Sequence, residues 1–184
     1  MTERLLNHQV KLNFGPSGRA ISECVDKDLL ENLLLHLTME RNANVQYFSI
    51  SLWFQERDLN GFSSFFLKES KDEMDHSYKF TDYLIARGQS INLHELPSPI
   101  QKWDSIEDII SFAFNMEAEL TISLQQLYSI AERSSDIRTN VFLDPIIESQ
   151  IVSENEFAHI LSKVKFASGS RSALLMIDEY LYKK

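Results

Sequence analysis

The chain has 184 residues, with 43% hydrophobic and 24% charged residues, which together indicate one soluble folded domain rather than a disordered segment. Its formal net charge of -9 argues against nucleic acid as a main partner, because phosphate binding needs basic patches. No stretch approaches the ~20 apolar residues that crossing a bilayer requires, and residues 1–25 hold no apolar core of signal-peptide length. The single cysteine, Cys24, cannot form an internal disulfide, so we expect a reducing, cytoplasmic environment.

The first elements are an N-terminal extension and a long helix. Residues 1–25 include a turn rich in glycine and proline, Asn13-Phe-Gly-Pro-Ser-Gly18, and are predicted to precede a helical domain over residues 26–184. From about Asp26 to Arg57, apolar residues recur at helical spacing, which predicts the first helix.

The second helix is predicted from about Phe62 to Arg87 and ends at Gly88, a residue type that commonly stops helices. The connection that follows, residues 89–104, contains two prolines and has no clear periodicity. Sixteen residues at about 3.3 Å each span ~50 Å, whereas a helix of 26 residues is about 39 Å long. A connection of that length predicts that helices two and three run parallel.

The remaining elements complete a helical bundle. Asp104 and Ser105 provide capping groups for a third helix, and a fourth is predicted from about Asp136 to Ala167 with a kink near Pro145. A short amphipathic segment, residues 172–182, follows. The sequence therefore predicts an all-α fold, a four-helix bundle with one long crossover and a short C-terminal fifth helix.

Side chains that can bind metal ions occur at matched intervals within these helices. Glu73 follows Glu40 by 33 residues, and Gln150 follows Glu117 by 33 residues, which predicts that each pair lies across a helical hairpin. Glu73 and His76 are three apart and share a helix face. A Glu on one helix and a Glu-x-x-His on the next, with another carboxylate from a second pair, is how bundles build a di-iron site.

These side chains also fall on the apolar faces of their helices. One inward Glu is often a core polar group with satisfied hydrogen bonds, but four such groups together are costly to bury without compensation. No Lys or Arg shares these faces, so we interpret the set as metal ligands. Tyr47 lies two helical turns after Glu40 and is expected near the metals, with a core tyrosine as the alternative.

A second Glu-x-x-His, from Glu156 to His159, competes for the same role. Its Glu lies 39 residues after Glu117, six beyond the matched interval. Six residues move a side chain about 9 Å along the helix and roughly 240° around it. We therefore predict that His159 is a surface residue and that Gln150 lies at the site instead.

Other polar residues carry weaker signals. Glu69 and Asp72 can line a route for incoming cations, although a hydrated acidic face is the default expectation. Three histidines are predicted to have no partner at metal spacing: His8, His36 and His94.

Together these features resemble the ferritin family over about residues 20–184, and most closely its non-haem, cyanobacterial-type members. The helix-two motif and the 33-residue intervals are the specific part of the resemblance. The segments that carry it are Gly15-Pro-Ser-Gly-Arg-Ala20, Met39-Glu-Arg, Lys71-Asp-Glu-Met-Asp-His76, Tyr83-Leu-Ile-Ala-Arg87 and Val141-Phe-Leu-Asp-Pro-Ile-Ile-Glu-Ser-Gln150.

The resemblance implies a ferroxidase, in which Fe²⁺ binds at a dinuclear centre inside each subunit, reacts with oxygen or peroxide and is stored as ferric mineral. By position, Glu40 and His76 would be terminal ligands of the first iron, and Glu73 would bridge the two ions. Glu117 would bind the second iron, with Gln150 beside it.

The resemblance also implies that Tyr47 is the redox-active tyrosine of the family. It implies that the four-helix bundle is ferritin-like and assembles as a homo-oligomeric shell of 24 subunits, in which the segment from Ser172 is the short fifth helix. A third iron site, present in many bacterial ferritins, is in doubt here, and only Glu154 remains nearby. The positions that supply its extra glutamates read Ser149, Val152 and Ser153.

Two alternatives stay open at this point. A bacterioferritin-like or rubrerythrin-like oxidase would use His159 as a ligand. A non-catalytic shell subunit would bind mineral without oxidising iron, but such subunits lack the inward set formed by Glu73 and His76.

Overall fold

The computed structural model describes residues 12–183, and these residues fold mainly as helices. This confirms the predicted all-α fold, with four long helices and a short fifth. The helices are α1 Lys27–Gln55, α2 Asn60–Ala86, α3 Ile106–Arg133, α4 Ile137–Ala167 and α5 Arg171–Tyr182. None of these helices combines the length and the hydrophobicity that a membrane-spanning segment requires.

The connection between α2 and α3, residues 87–105, runs along α1. Arg41 Nη1 donates to the backbone oxygen of His94 at 2.9 Å. Farther along α1, the Gln46 amide donates to the backbone oxygen of Ile100 and accepts from its nitrogen. The connection therefore returns the chain to the end of the bundle where α2 begins. Helices α2 and α3 run parallel, as the connection length predicts.

Side-chain caps explain where most helices begin. Asp26, Ser105 and Asp136 each accept hydrogen bonds from backbone N–H groups in the first turn of α1, α3 and α4, groups that have no partner inside the helix. Helix α4 stays helical through Pro145, and the kink expected there stays a prediction.

Helix α2 receives its cap from the far end of the chain. Its N-cap residue, Leu59, makes no side-chain hydrogen bond. Instead, Asp178 of α5 accepts from the backbone N–H of Phe62 at 2.8 Å. A Cβ atom at Gly61 would lie 1.8 Å from the backbone oxygen of Asp178. Glycine at this position thus lets α5 pack directly against the start of α2.

A small antiparallel ribbon, β1 Asn13–Phe14 and β2 Ala20–Ile21, precedes the bundle and encloses the predicted turn. It packs against the end of α2, where Gly88 adopts a φ of +73°. A Cβ atom at Gly15 would lie 2.3 Å from the Gly88 oxygen. Because residues 1–11 lie outside the described part of the chain, the division between an N-terminal extension and the bundle domain stays a prediction.

The bundle interior consists of two apolar clusters with a polar layer between them. One cluster includes Tyr47 and Phe66, and the other includes Leu37 and Phe80. The polar layer contains the side chains that the sequence predicts as a metal site. These buried residues are Glu40, Glu73, Glu117 and Gln150.

Candidate metal centre

Three of the predicted ligands, Glu40, Glu73 and His76, meet between α1 and α2. One ligand atom from each lies within 4.8 Å of the others. His76 Nδ1 is 3.1 Å from Glu73 Oε2 and 3.6 Å from Glu40 Oε2. The three-residue spacing puts Glu73 and His76 on one face of α2, and antiparallel packing brings Glu40 opposite them. Two carboxylates and an imidazole form a donor set suited to a divalent transition-metal ion.

The two carboxylate oxygens of Glu40 have different surroundings. Oε1 lies 2.8 Å from His36 Nε2. Oε2 is buried, and among the described residues no hydrogen bond satisfies it. Leaving a buried acceptor unsatisfied costs free energy, so a cation or a proton is needed beside this oxygen. We call Glu40, Glu73 and His76 the first half of the site.

The second half of the site joins α3 and α4 to Tyr47 of α1 through hydrogen bonds. Tyr47 donates its hydroxyl proton to Glu117 Oε1 at 2.5 Å. Gln150 donates from Nε2 to Glu117 Oε2 at 2.8 Å and to the Glu117 backbone oxygen at 3.2 Å. Both oxygens of Glu117 thus have donors, and this carboxylate is not part of the group of three ligands between α1 and α2. We call Glu117, Gln150 and Tyr47 the second half of the site.

The two carboxyl groups of the first half have pKa values shifted in opposite directions. Burial alone would raise the pKa of Glu40, but its contacts with Glu73, His36 and His76 outweigh burial and hold the pKa well below its usual range. Burial and then the charge of Glu40 raise the pKa of Glu73 well above the ordinary value. Without metal, therefore, a proton on Glu73 lies beside an ionised Glu40, and a cation can take the place of that proton.

The pKa values of Glu117 and Tyr47 in the second half are also raised, which favours their protonated forms. Burial raises the pKa of Glu117 to about 7, although the hydrogen bonds from Tyr47 and Gln150 oppose the shift. Burial, followed by the charges of Glu117 and Glu73, raises the pKa of Tyr47 well above its ordinary value of 10. Tyr47 therefore remains a hydrogen-bond donor at neutral pH.

The family of the chain follows from its match to a model described as Ferritin-like domain, which spans residues 30–167. That range contains nearly all of the four long helices and every residue of both halves of the site. The chain belongs to the ferritin family. Ferritins are iron-storage proteins, and this general role extends to the chain through its family.

Curated relatives of this ferritin chain support the non-haem type. A bacterial non-heme ferritin of Campylobacter jejuni is 26% identical over 157 residues, 85% of this chain and 94% of the relative. A bacterial non-heme ferritin of Staphylococcus haemolyticus is 27% identical over 133 residues, which cover 72% of this chain and 80% of the relative. A ferritin of Pacifastacus leniusculus is 28% identical over 149 residues, which cover 79% of this chain and 82% of the relative. The predicted non-haem ferritin is confirmed, while its cyanobacterial subtype stays a prediction.

The fold of the ferritin chain also matches solved structures. An open pore ferritin from the archaeon Archaeoglobus fulgidus superposes with a TM-score of 0.83 at 24% identity, covering 86% of this chain and 98% of that one. A humanized archaeal ferritin gives 0.82 at 24% identity, covering 85% and 95%. At this identity the similarity establishes the shared bundle fold.

His36 corrects one sequence-based prediction in the ferritin chain. The residue was expected to lack a partner at metal spacing, and that was wrong. His36 is fully buried and contacts both Glu40 and Ser123 through its ring nitrogens. The available signal was its position four residues before Glu40, on the same helix face. His94 has an exposed side chain, and His8 lies outside the described residues.

Glu69 corrects a second expectation. A hydrated acidic face was the default for Glu69 and Asp72, but Glu69 is only 4% exposed, whereas the side chain of Asp72 is 46% exposed. Lys68 Nζ lies 2.8 Å from Glu69 Oε1 and 3.1 Å from Asp72 Oδ2. Burial raises the pKa of Glu69, and Lys68 opposes that shift. Lys68 therefore forms ion pairs with both acidic side chains, and their role in a route for incoming cations stays a prediction.

The residues of the competing motif lie elsewhere. His159 is exposed on α4, where it borders a surface pocket against α5 together with Phe166 and Tyr180. Its position agrees with the prediction of a surface histidine. Glu154 is half-buried and accepts a hydrogen bond from Thr121 at 2.8 Å.

Proposed function

We propose that this ferritin oxidises Fe²⁺ at a dinuclear centre. Glu40 and His76 bind the first ion, Glu73 bridges, and Glu117 binds the second ion with Gln150 beside it. The observation that carries the proposal is the buried group of Glu40, Glu73 and His76, in which Glu40 Oε2 accepts no hydrogen bond from any residue in the described range 12–183. Carboxylate oxygens with an imidazole suit iron in both of its common oxidation states.

The electron count fits a pair of ions. Each Fe²⁺ gives up one electron, and two ions supply the two electrons that convert oxygen to peroxide, or peroxide and two protons to water. The carboxylates hold both ions close enough to act on one oxidant molecule. Metal binding at Glu73 and Glu117 releases the protons that their raised pKa values retain in the metal-free protein.

Tyr47 supplies a further electron in this proposal. Its hydroxyl group donates to Glu117 Oε1, so the proton can pass to that oxygen when the electron leaves for oxygen or peroxide. The burial of Tyr47 and its stacking on Phe157, at a centroid distance of 5.5 Å, shield the ring from solvent.

We propose further that the chain stores the ferric product as mineral inside a cytoplasmic shell of 24 identical subunits. Large exposed apolar side chains on α4 and α5, among them Phe166 at 92% and Met176 at 74% exposure, support contacts with other copies. Sedimentation of the purified protein tests the shell, because a 21.4 kDa monomer in solution would contradict it.

Anaerobic titration with Fe²⁺, followed by addition of oxygen or peroxide, tests the oxidation step. We expect a fast phase that oxidises two ions per subunit in the wild type and disappears in Glu73→Ala. His159→Ala is the matched control, because this exposed histidine lies outside the site and should leave the fast phase intact. Loss of that phase in His159→Ala would instead favour a bacterioferritin-like or rubrerythrin-like oxidase. A wild type without a fast phase would favour a non-catalytic iron-binding shell subunit.

A further inference from the structure

We propose that His36 is a positioning residue that makes Glu40 bind the first metal ion through one oxygen, Oε2. The proposal rests on the proposed function, since it assigns a role beside the same metal site. His36 lies 2.8 Å from Glu40 Oε1, while Oε2 is the oxygen turned towards His76, at 3.6 Å. The two oxygens of one carboxylate thus have different tasks.

The hydrogen-bond chemistry assigns the tautomer of His36. An ionised carboxylate can only accept, so Nε2 carries the hydrogen that points at Glu40 Oε1. Nδ1 lies 2.9 Å from Ser123 Oγ, and in the tautomer that donates only from Nε2 it accepts the hydroxyl proton of Ser123. The chain Ser123 to His36 to Glu40 therefore runs in one donor direction and ends on the carboxylate.

Packing fixes the ring in this orientation. His36 has no exposed surface, and its ring lies 4.7 Å from the ring of Phe80, centroid to centroid. Since His36 is on α1, Phe80 on α2 and Ser123 on α3, three helices hold one imidazole. A ring held on two edges and one face cannot turn away without breaking buried contacts.

His36 is excluded as a ligand in this arrangement. Both of its ring nitrogens already have partners, so neither is free for a cation. Its effect on the metal acts through Glu40. With Oε1 accepting the Nε2 hydrogen, binding through Oε2 alone is favoured over chelation through both oxygens, and the first ion would keep one more position for the oxidant. Hydrogen bonds of this kind to metal ligands commonly change metal affinity by about 10–100-fold.

The test compares His36→Gln with His36→Leu in the assembled, metal-free protein. A glutamine can still donate an N–H to Glu40, whereas a leucine keeps bulk and loses the donor. We expect His36→Leu to bind Co²⁺ about 10–100-fold more weakly at the first site. The Co²⁺ visible band should also lose intensity, because chelation by Glu40 raises the coordination number. We expect His36→Gln to retain the wild-type affinity and band.

Ser123→Ala serves as the second variant if His36→Leu does not fold. It removes the partner of Nδ1 and leaves the ring in place, so we expect a smaller loss of Co²⁺ affinity. Thermal unfolding of each metal-free variant separates a structural defect from loss of the donor.

The outcomes separate this inference from the proposed function. If the wild type binds no Co²⁺ at Glu40, the proposed metal site fails and this role fails with it. If the wild type binds Co²⁺ and His36→Leu has the same affinity and band, only the role of His36 is overturned. Equal impairment of His36→Gln and His36→Leu would also overturn it, because the donor would then not matter.

Discussion

The two halves of the site differ in how ready they are for a cation. In the first half, Glu40 presents a buried oxygen that accepts no hydrogen bond within the described part of the chain, and His36 Nε2 donates to the other oxygen. In the second half, Tyr47 and Gln150 occupy both oxygens of Glu117. A metal ion entering the first half replaces a proton, whereas one entering the second half competes with two donors that already stabilise the carboxylate.

This difference leads us to expect ordered binding. The first ion should bind between α1 and α2, because a ligand there is already oriented and unsatisfied. Its charge would then favour ionisation of Glu73 and Glu117, whose pKa values are raised in the metal-free protein. The second ion should follow, at lower affinity. Substitutions in the two halves should therefore have unequal effects on metal binding.

Glu40→Gln should impair metal binding in both halves of the site. The substitution keeps size but removes the ionised ligand, so we expect the first metal affinity to fall about 100-fold or more. The second ion should be lost as well, if binding is ordered. Isothermal titration with Zn²⁺ measures both. Retention of a single ion of unchanged affinity would contradict the ordering.

Glu117→Gln should remove only the later ion. The substituted amide would lack the charge that the second ion requires, while the first half stays intact. The same titration should fall from two ions per subunit to one, with the first affinity near its wild-type value. Loss of both ions from this variant would show that the halves are not separable.

The pH dependence of stability should reveal the raised pKa of the buried Glu117 side chain. Its pKa rises from 4.5 to about 7 on folding, mainly because of burial. A raised carboxyl pKa means that its contribution to stability is fully present below about pH 4.5 and is lost as the pH rises through about 7. In urea unfolding of metal-free protein, the wild type should therefore lose stability relative to Glu117→Gln over that interval. A pH-independent difference would contradict the shift.

Tyr47→Phe should have the smallest effect on folding. It removes the donor to Glu117 Oε1, and we expect a loss of about 1–3 kcal/mol in the free energy of unfolding near neutral pH. Metal stoichiometry should be unchanged, while the oxidation trace changes or a tyrosyl radical signal disappears. Identical traces, with no radical in the wild type, would remove the proposed redox role.

Local patterns in the sequence predict most of the bundle. Helical periodicity and the glycine stops predict the helices to within a few residues, and the long connection predicts parallel α2 and α3. The 33-residue interval predicts that Gln150 meets Glu117 across a hairpin, and the structure brings them within 2.8 Å. Helical geometry likewise separates His159 from this layer.

The features that the sequence did not predict depend on contacts between distant segments. The cap that Asp178 provides for α2 joins residues 116 apart, and no local pattern signals it. The second partner of His36, Ser123, lies 87 residues away. The pairing of Lys68 with buried Glu69 depends on how α2 is rotated in the bundle, because neighbours in sequence point in different directions on a helix.

Ordered metal binding can be observed by anomalous diffraction from crystals of the metal-free protein soaked in increasing Zn²⁺. At low concentration we expect one peak within bonding distance of Glu40, Glu73 and His76. At higher concentration a second peak should appear ~3.5–4 Å away, beside Glu117. A first peak at Glu117, or metal bound only at His159, would contradict the account.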